Sequence, residues 1–239
     1  MIAALEAGAE LEALYLDASL ADRPDLVAIV ERARQRGVRA YGLEPGVLAK
    51  VAEAQTPQPV LAAARFAAPE LTEMPDGGLT LVLHDLRDPG NVGTIIRSAD
   101  AAGASGVVLT GQSVDPYNPK TLRATAGSIF HLPVTVAELA ATLGHYESRG
   151  SRTWASVVRG GADLFDCDLS GPSVVVIGNE AEGLDAGTVR RCQSTMSIGM
   201  AGRNESLNAG VAASLIAFAS YWQRSGRVVP PNARSLGET

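Results

Sequence analysis

Between residues 79 and 200 short apolar runs alternate with stretches in which apolar residues recur every three or four positions. The runs "LTLVLHD", "GVVLTG", "LPVTV", "RTWASVV", "SVVVIG" and "STMSIGM" predict strands. Between them "VGTIIRSADAAG", "AELAATLGHYESRG" and "LDAGTVRRC" predict helices. Strands alternating with helices imply an α/β fold with a mostly parallel sheet covered on both faces. "SVVVIG" lacks any polar alternation, which predicts a central strand buried on both sides. In such sheets ligands bind beyond the carboxyl ends of the strands.

Residues 1–66 carry a separate, smaller pattern. "LEALYLD", "VRAYGLE" and "PVLAAARF" predict strands, with the helix "LVAIVERARQRG" after the first and a proline-led helix, "PGVLAKVAEA", after the second. Residues 67–78, "AAPELTEMPDGG", have the proline, glycine and acidic texture of a linker. The organisation expected is a small α/β domain over 1–66, the linker, a larger domain over 79–226 and a loose tail over 227–239.

Composition narrows this picture in a few places. With 239 residues, 46% hydrophobic and 19% charged, the chain is an ordinary folded α/β protein. A net charge of −6 argues against coating nucleic acid through bulk charge. A local basic surface remains available, and it would be built from arginine, since Lys50 and Lys120 are the only lysines. Arginine is the better residue for forked contacts to phosphate. Cys167 and Cys192 have neither metal-site nor redox-motif spacing and read as small buried thiols in a reducing compartment. His84, His131 and His145 sit in no ligand-like spacing, so no metal is expected. The N-terminus has no basic segment ahead of its apolar residues. The longest uncharged stretch, residues 206–223, reads as a buried helix and not a membrane span. The expectation is a cytoplasmic protein with no membrane partner.

Candidate chemistry gathers where three predicted strands end. In "DPGNVGTIIR", Gly90 and Gly93 permit a tight turn and Asn91 is of the type that caps a helix. Val92, Ile95, Ile96 and Ala99 share one helical face and Arg97 points away from it, although cations are disfavoured near helix N-termini. In "VVVIGNEAEGL", Gly178, Asn179 and Glu180 follow a buried strand directly. In "SIGMAGRNESLNAGVAASL", glycines and Met200 precede Ser206 and Asn208, and then a helix rich in small residues. Leu207, Val211, Leu215, Phe218 and Trp222 follow helical spacing there, and the small residues would admit a partner subunit. Taken singly, a solvated arginine, an acidic residue near a helix start and capping by Asn204 or Ser206 account for each loop. Together, three polar loops at one sheet edge mark a ligand cleft, whose ligand the spacing does not name.

The segments "NVGTIIR" (91–97), "VVIGNEAEGL" (175–184) and "IGMAGRNESLNAGVAASL" (198–215) resemble the three ordered motifs of the SpoU (TrmH) family of the SPOUT superfamily. Its members are RNA ribose 2′-O-methyltransferases. "NPKTLRATAGSIFHLPV" (118–134) is similar to a further family segment, so the resemblance spans about residues 79–223. The first 66 residues more loosely resemble the small L30e-like RNA-binding domain many members carry. Two departures, Ile198-Gly199-Met200 for Ile-Pro-Met and "SLNAGVA" for "SLNVAVA", loosen the backbone without deleting chemistry.

The resemblance implies a C-terminal trefoil knot, a homodimer formed through the knot and the C-terminal helix, and S-adenosyl-L-methionine as the methyl donor. It places the donor against Gly178, Asn179, Ile198, Met200 and Leu207. Arg97 is carried over as the catalytic arginine, with Asn91, Glu180, Ser206 and Asn208 organising it and the target ribose. A guanidinium keeps its proton, so Arg97 would stabilise the forming alkoxide and grip a neighbouring phosphate. Arg123 is the next candidate for RNA contact. The two-domain layout favours ribosomal RNA over transfer RNA. An inactive RNA-binding relative is the rival outside enzymes, and retention of Arg97, Glu180 and Asn208 together argues against it. A nucleotide oxidoreductase is disfavoured because G-x-G-x-x-G is absent.

Overall fold

The computed structural model describes residues 1–51, 58–203 and 206–227, which form two compact units, Met1–Ala67 and the chain from Ala68 onward. In the first, strand β1 (Glu10–Asp17) is central, with β2 (Arg39–Leu43) parallel on one side and β3 (Val60–Arg65) antiparallel on the other. Helix α1 (Ile2–Glu6) precedes β1, and α2 (Pro24–Gln35) joins β1 to β2. Pro24 opens α2, and Leu26, Ile29 and Ala33 bury the stripe that their spacing predicts. Gly37, at φ +74°, ends it. The proline-led helix forms as α3 (Val47–Val51), and the rest of its expected span lies outside the described residues.

The second unit is built on a sheet of seven parallel strands. They are β4 (Leu79–His84), β5 (Gly106–Thr110), β6 (Val134–Val136), β7 (Arg152–Ser156), β8 (Ala162–Asp163), β9 (Ser173–Ile177) and β10 (Ser194–Ser197), in the order β6-β5-β4-β9-β7-β10-β8. The six apolar runs all form strands, and β9 is buried throughout as its unbroken pattern requires. The two-residue β8 carries no apolar run and was not expected. Between the strands run α4 (Pro89–Ala101), α5 (Pro119–Ala124), α6 (Leu139–Glu147) and α7 (Ala186–Arg191), and α8 (Ala209–Arg224) follows β10. Leu139, Leu143 and Tyr146 of α6 pack on Val82, Val108, Val174 and Val176 of the sheet.

Part of the linker-like stretch is docked on this unit. Met74 is buried in the α6 cluster, and the Thr135 hydroxyl donates to the Pro69 carbonyl at 2.6 Å.

Helix α4 corrects the expected cap. It begins at Pro89, and Asp88 is the cap, its Oδ1 accepting from the Gly90 and Asn91 amides at 2.6 and 3.0 Å. Asn91 therefore lies inside the first turn with its side chain free for other work. The expected capping of α8 also moves: Asn208 is the cap, Ser206 lies before it and Asn204 is outside the described residues.

Helix α8 presents a second departure. Its buried face is small, formed by Ala213, Ile216, Ala217, Ser220 and Gln223, whereas Val211 and Leu215 of the larger stripe are 48% and 40% exposed. The small residues let α8 lie close to α4, where the Ser214 hydroxyl donates to that of Ser98 at 2.7 Å. Among the described residues no helix is long and apolar enough to cross a membrane, and no three His, Cys, Asp or Glu side chains gather as a metal site.

Candidate active site

Because every strand of the second sheet is parallel, the loops after β4, β7, β9 and β10 gather at one edge. Three of them, with the first turns of α8, enclose a cleft of ≈ 180 Å³. The turn after β9 forms one wall, from Ile177 to Gly183. Ile198, Met200, Ser206 and Leu207 form another, continued by Ala209 and Ala212 of α8.

The β9 wall is set by backbone geometry. Gly183 donates its amide to the Asn179 carbonyl at 2.9 Å, folding the turn back on itself. A Cβ on Gly178 would lie 2.6 Å from both the Gly183 oxygen and the Leu184 nitrogen, so the turn closes only over glycine. Asn179 braces it on both sides. Its Oδ1 accepts from the Ala181 amide at 2.8 Å, and its Nδ2 donates to the Asp85 carbonyl at 3.0 Å.

A polar chain runs along the lip. Asn91 donates through Nδ2 to Glu180 at 2.9 Å, and Asn208 donates through Nδ2 to the Asn91 Oδ1 at 3.0 Å. The Asn208 Oδ1 caps α8 by accepting from the Gly210 and Val211 amides at 2.9 and 3.2 Å. The amino ends of α4 and α8 are thus linked through Asn91 to one carboxylate. Gly210 sits beside this chain: a Cβ there would be tight only against the Asn208 Oδ1, at 3.1 Å, and in ordinary contact with the Asn91 Oδ1, at 3.5 Å.

Residues 78–218 match the SpoU rRNA Methylase family. The chain belongs to that family. It is 32% identical over 184 residues to the 23S rRNA (guanosine(2553)-2′-O)-methyltransferase RlmP of Bacillus subtilis (strain 168), covering 77% of this chain and 73% of that one. It is 36% identical over 195 residues to the 23S rRNA (uridine(2479)-2′-O)-methyltransferase of Streptomyces viridochromogenes, covering 77% and 68%. Among solved structures, the SpoU methyltransferase AviRb of Streptomyces viridochromogenes in complex with AdoMet superposes with a TM-score of 0.82 at 31% identity, over 94% of this chain and 87% of that one. The AdoMet-bound rRNA methyltransferase of Sinorhizobium meliloti gives 0.81 at 31%, over 94% and 84%.

In this SpoU chain Gly178, Asn179, Glu180, Ile198, Met200, Ser206 and Leu207 all line the cleft. Asn91 and Asn208 stand one and two hydrogen bonds away from it, through Glu180. Neither predicted arginine lines it. Arg97 is exposed on α4 and Arg123 is exposed on α5, and neither side chain makes a hydrogen bond or ion pair with the described residues. Sequence reasoning missed Ser156, Val157 and Val158, which complete the lining. The run "RTWASVV" reads as strand to its end, but β7 stops at Ser156 and the two valines turn into the cleft. The glycines that would signal a turn come only afterwards, at Gly160 and Gly161.

Proposed function

We propose that this chain transfers a methyl group from S-adenosylmethionine to a ribose 2′-hydroxyl of ribosomal RNA, working as a homodimer. The observation that carries the reading is the cleft at the carboxyl edge of the parallel sheet, with the Glu180–Asn91–Asn208 chain fixed at its lip. Its lining fits the donor: Glu180 and Glu182 offer carboxylates to a sulfonium and an ammonium, and Val157, Ile177, Ile198 and Leu207 offer apolar walls to an adenine. When bound, S-adenosylmethionine supplies an electrophilic methyl group on a positively charged sulfur.

The work left to the protein is to orient the hydroxyl and to stabilise the charge it develops. Ser206 carries a hydroxyl at the cleft and positions the ribose. Asn208 spends its oxygen on α8 and an amide hydrogen on Asn91, so its part is to hold Asn91 and Glu180 in place. Arg97 keeps its proton, stabilises the forming alkoxide and grips the adjacent phosphate, which relays the proton.

The homodimer completes this site. Val211 and Leu215 are exposed on α8, beside α4, and a second copy docked there would cover them. Arg97 projects from the same helical layer, outside its own chain's cleft, and reaches a ribose at the joint edge of two copies. The C-terminal trefoil knot belongs to this reading. Supporting it, Gln223 and Ser220 of α8 bond the backbone of residues 167–169, while the other end of the helix meets α4. The first unit serves as the small RNA-binding domain of the L30e-like kind. Arg34, Arg36 and Arg39 are exposed there and lack ion pairs among the described residues, and Arg123, exposed on α5 of the second unit, adds an RNA contact.

The test is to incubate the full chain with ribosomal RNA and labelled S-adenosylmethionine and to map ribose methylation. One 2′-O-methyl position is expected, abolished by 2′-deoxy substitution at the target. Donor binding without transfer to any RNA would instead support the inactive RNA-binding reading, and transfer only to transfer RNA would change the substrate.

A further inference from the structure

Asp85, directly after β4, has a φ of +58°, and among the described residues only Ala126 shares that left-handed backbone with a side chain. The conformation is disfavoured for residues with a Cβ, though aspartate and asparagine tolerate it best. Here it is held from several sides. The Asp85 amide donates to the Thr110 carbonyl at 3.2 Å, and its Oδ1 accepts from the Gln112 amide at 2.6 Å. Its Oδ2 lies 3.5 Å from the His84 Nε2, while the His84 Nδ1 pairs with the Thr110 hydroxyl at 2.8 Å. Gly111, at φ +65°, gives the carboxylate its room.

The consequence falls on the carbonyl. Turned by the left-handed backbone, it receives the Asn179 side chain at 3.0 Å. Asn179 in turn braces the β9 turn that walls the cleft. The same turn is tied at Glu180 to Asn91. The wall is therefore fastened at two points to one segment, at Asp85 before the α4 cap and at Asn91 after it.

We propose that Asp85 is a positioning residue for the methyl donor: its carboxylate fixes a backbone carbonyl that holds Asn179, and through Asn179 the wall against which the donor lies. This rests on the reading of the cleft as the donor site. Asp85 touches no reacting atom and acts through the turn.

The test is calorimetric titration of the full chain with S-adenosylmethionine, beside thermal unfolding, for Asp85→Asn, Asp85→Gly, Asp85→Ala, Asn179→Ala and the double variant Asp85→Ala/Asn179→Ala. Asp85→Asn keeps an acceptor for the Gln112 amide and tolerates the backbone, so its affinity should stay within ~3-fold of wild type. Asp85→Gly keeps the backbone but loses the lock, and should bind ~3–10-fold more weakly. Asp85→Ala loses both and should bind at least ~10-fold more weakly. The double variant should bind no more weakly than the worse single one, because both act through one link. Asp85→Gly carries the test if Asp85→Ala fails to fold. Equal affinity in wild type and Asp85→Gly, or strictly additive losses, would overturn the proposal alone. A folded wild type that does not bind the donor would overturn the donor reading and the proposal with it.

Discussion

Adding one methyl group to Gly178 should cost this chain its grip on the methyl donor. In Gly178→Ala the new Cβ would stand 2.6 Å from the Gly183 oxygen and from the Leu184 nitrogen, both backbone atoms with no side-chain freedom to yield. Ordinary contact begins near 3.4 Å and the Gly183 carbonyl carbon would lie closer still, so the turn must open by about 1 Å. Gly178 itself cannot give way, because β9 is paired on both sides, with β4 and β7. The Gly183–Leu184 arm must move, against the 2.9 Å hydrogen bond that folds it onto Asn179. A wall displaced this far loses its contacts with the donor, and the expected loss of donor affinity by calorimetry is at least ~10-fold, about 1.4 kcal/mol of binding. Overpacking of this kind costs about 1–3 kcal/mol, so unfolding should shift by only ~2–10 °C and the protein should stay folded at 25 °C. Gly144→Ala in α6 is the control: nothing lies within 4 Å of its Cβ, and it should leave donor affinity unchanged while adding about 0.5–1 kcal/mol of stability. Folded Gly178→Ala binding the donor within ~3-fold of wild type would refute the reasoning.

Gln223 is buried, accepts from the Leu169 amide at 2.7 Å and donates to the Cys167 carbonyl at 2.9 Å. Gln223→Leu strands both backbone groups and should lose about 2–5 kcal/mol in urea unfolding; a loss below ~1 kcal/mol would mean that those groups find other partners. Burial pushes the Cys167 thiol up to about 11 from its ordinary value near 9. Above pH 9 the unfolded chain therefore sheds a proton that the folded chain keeps, so this group's stabilisation is complete below pH 9 and is lost as pH rises to 11. Cys167→Ala should flatten the fall in urea midpoint between pH 9 and 11, and an unchanged slope would remove the thiol as its cause. Arg97→Lys keeps the charge but loses the planar fork, so methyl transfer should fall at least ~100-fold with donor affinity intact; near-full activity would exclude the fork-dependent role.

The contrast between what the sequence made legible and what it hid has one physical origin. The strands of the second unit could be read because burial on both faces leaves few solutions for runs such as "SVVVIG". The cleft residues from Gly178 to Leu207 were legible because their spacing follows the ends of those strands and a resemblance named their chemistry. Local rules failed wherever a distant partner decides. Asp88 and Asn91 are both capping types; Pro89 in the first turn already favours Asp88 as the cap, and Glu180, far along the chain, assigns Asn91 to the lip. Val157 and Val158 look like strand because nothing local marks where β7 lets go of its neighbours. In α8 two apolar faces obey the same helical period, Ala213–Ile216–Ala217 and Val211–Leu215, and size rather than period separates them. Toward α4 the helix presents Gly210 and Ser214, small enough to meet Thr94 and Ser98 and to let Asn208 reach Asn91. The larger face is thereby left on the outside. One packing choice, small side chains toward α4, thus builds the lip of the cleft and leaves Val211 and Leu215 exposed.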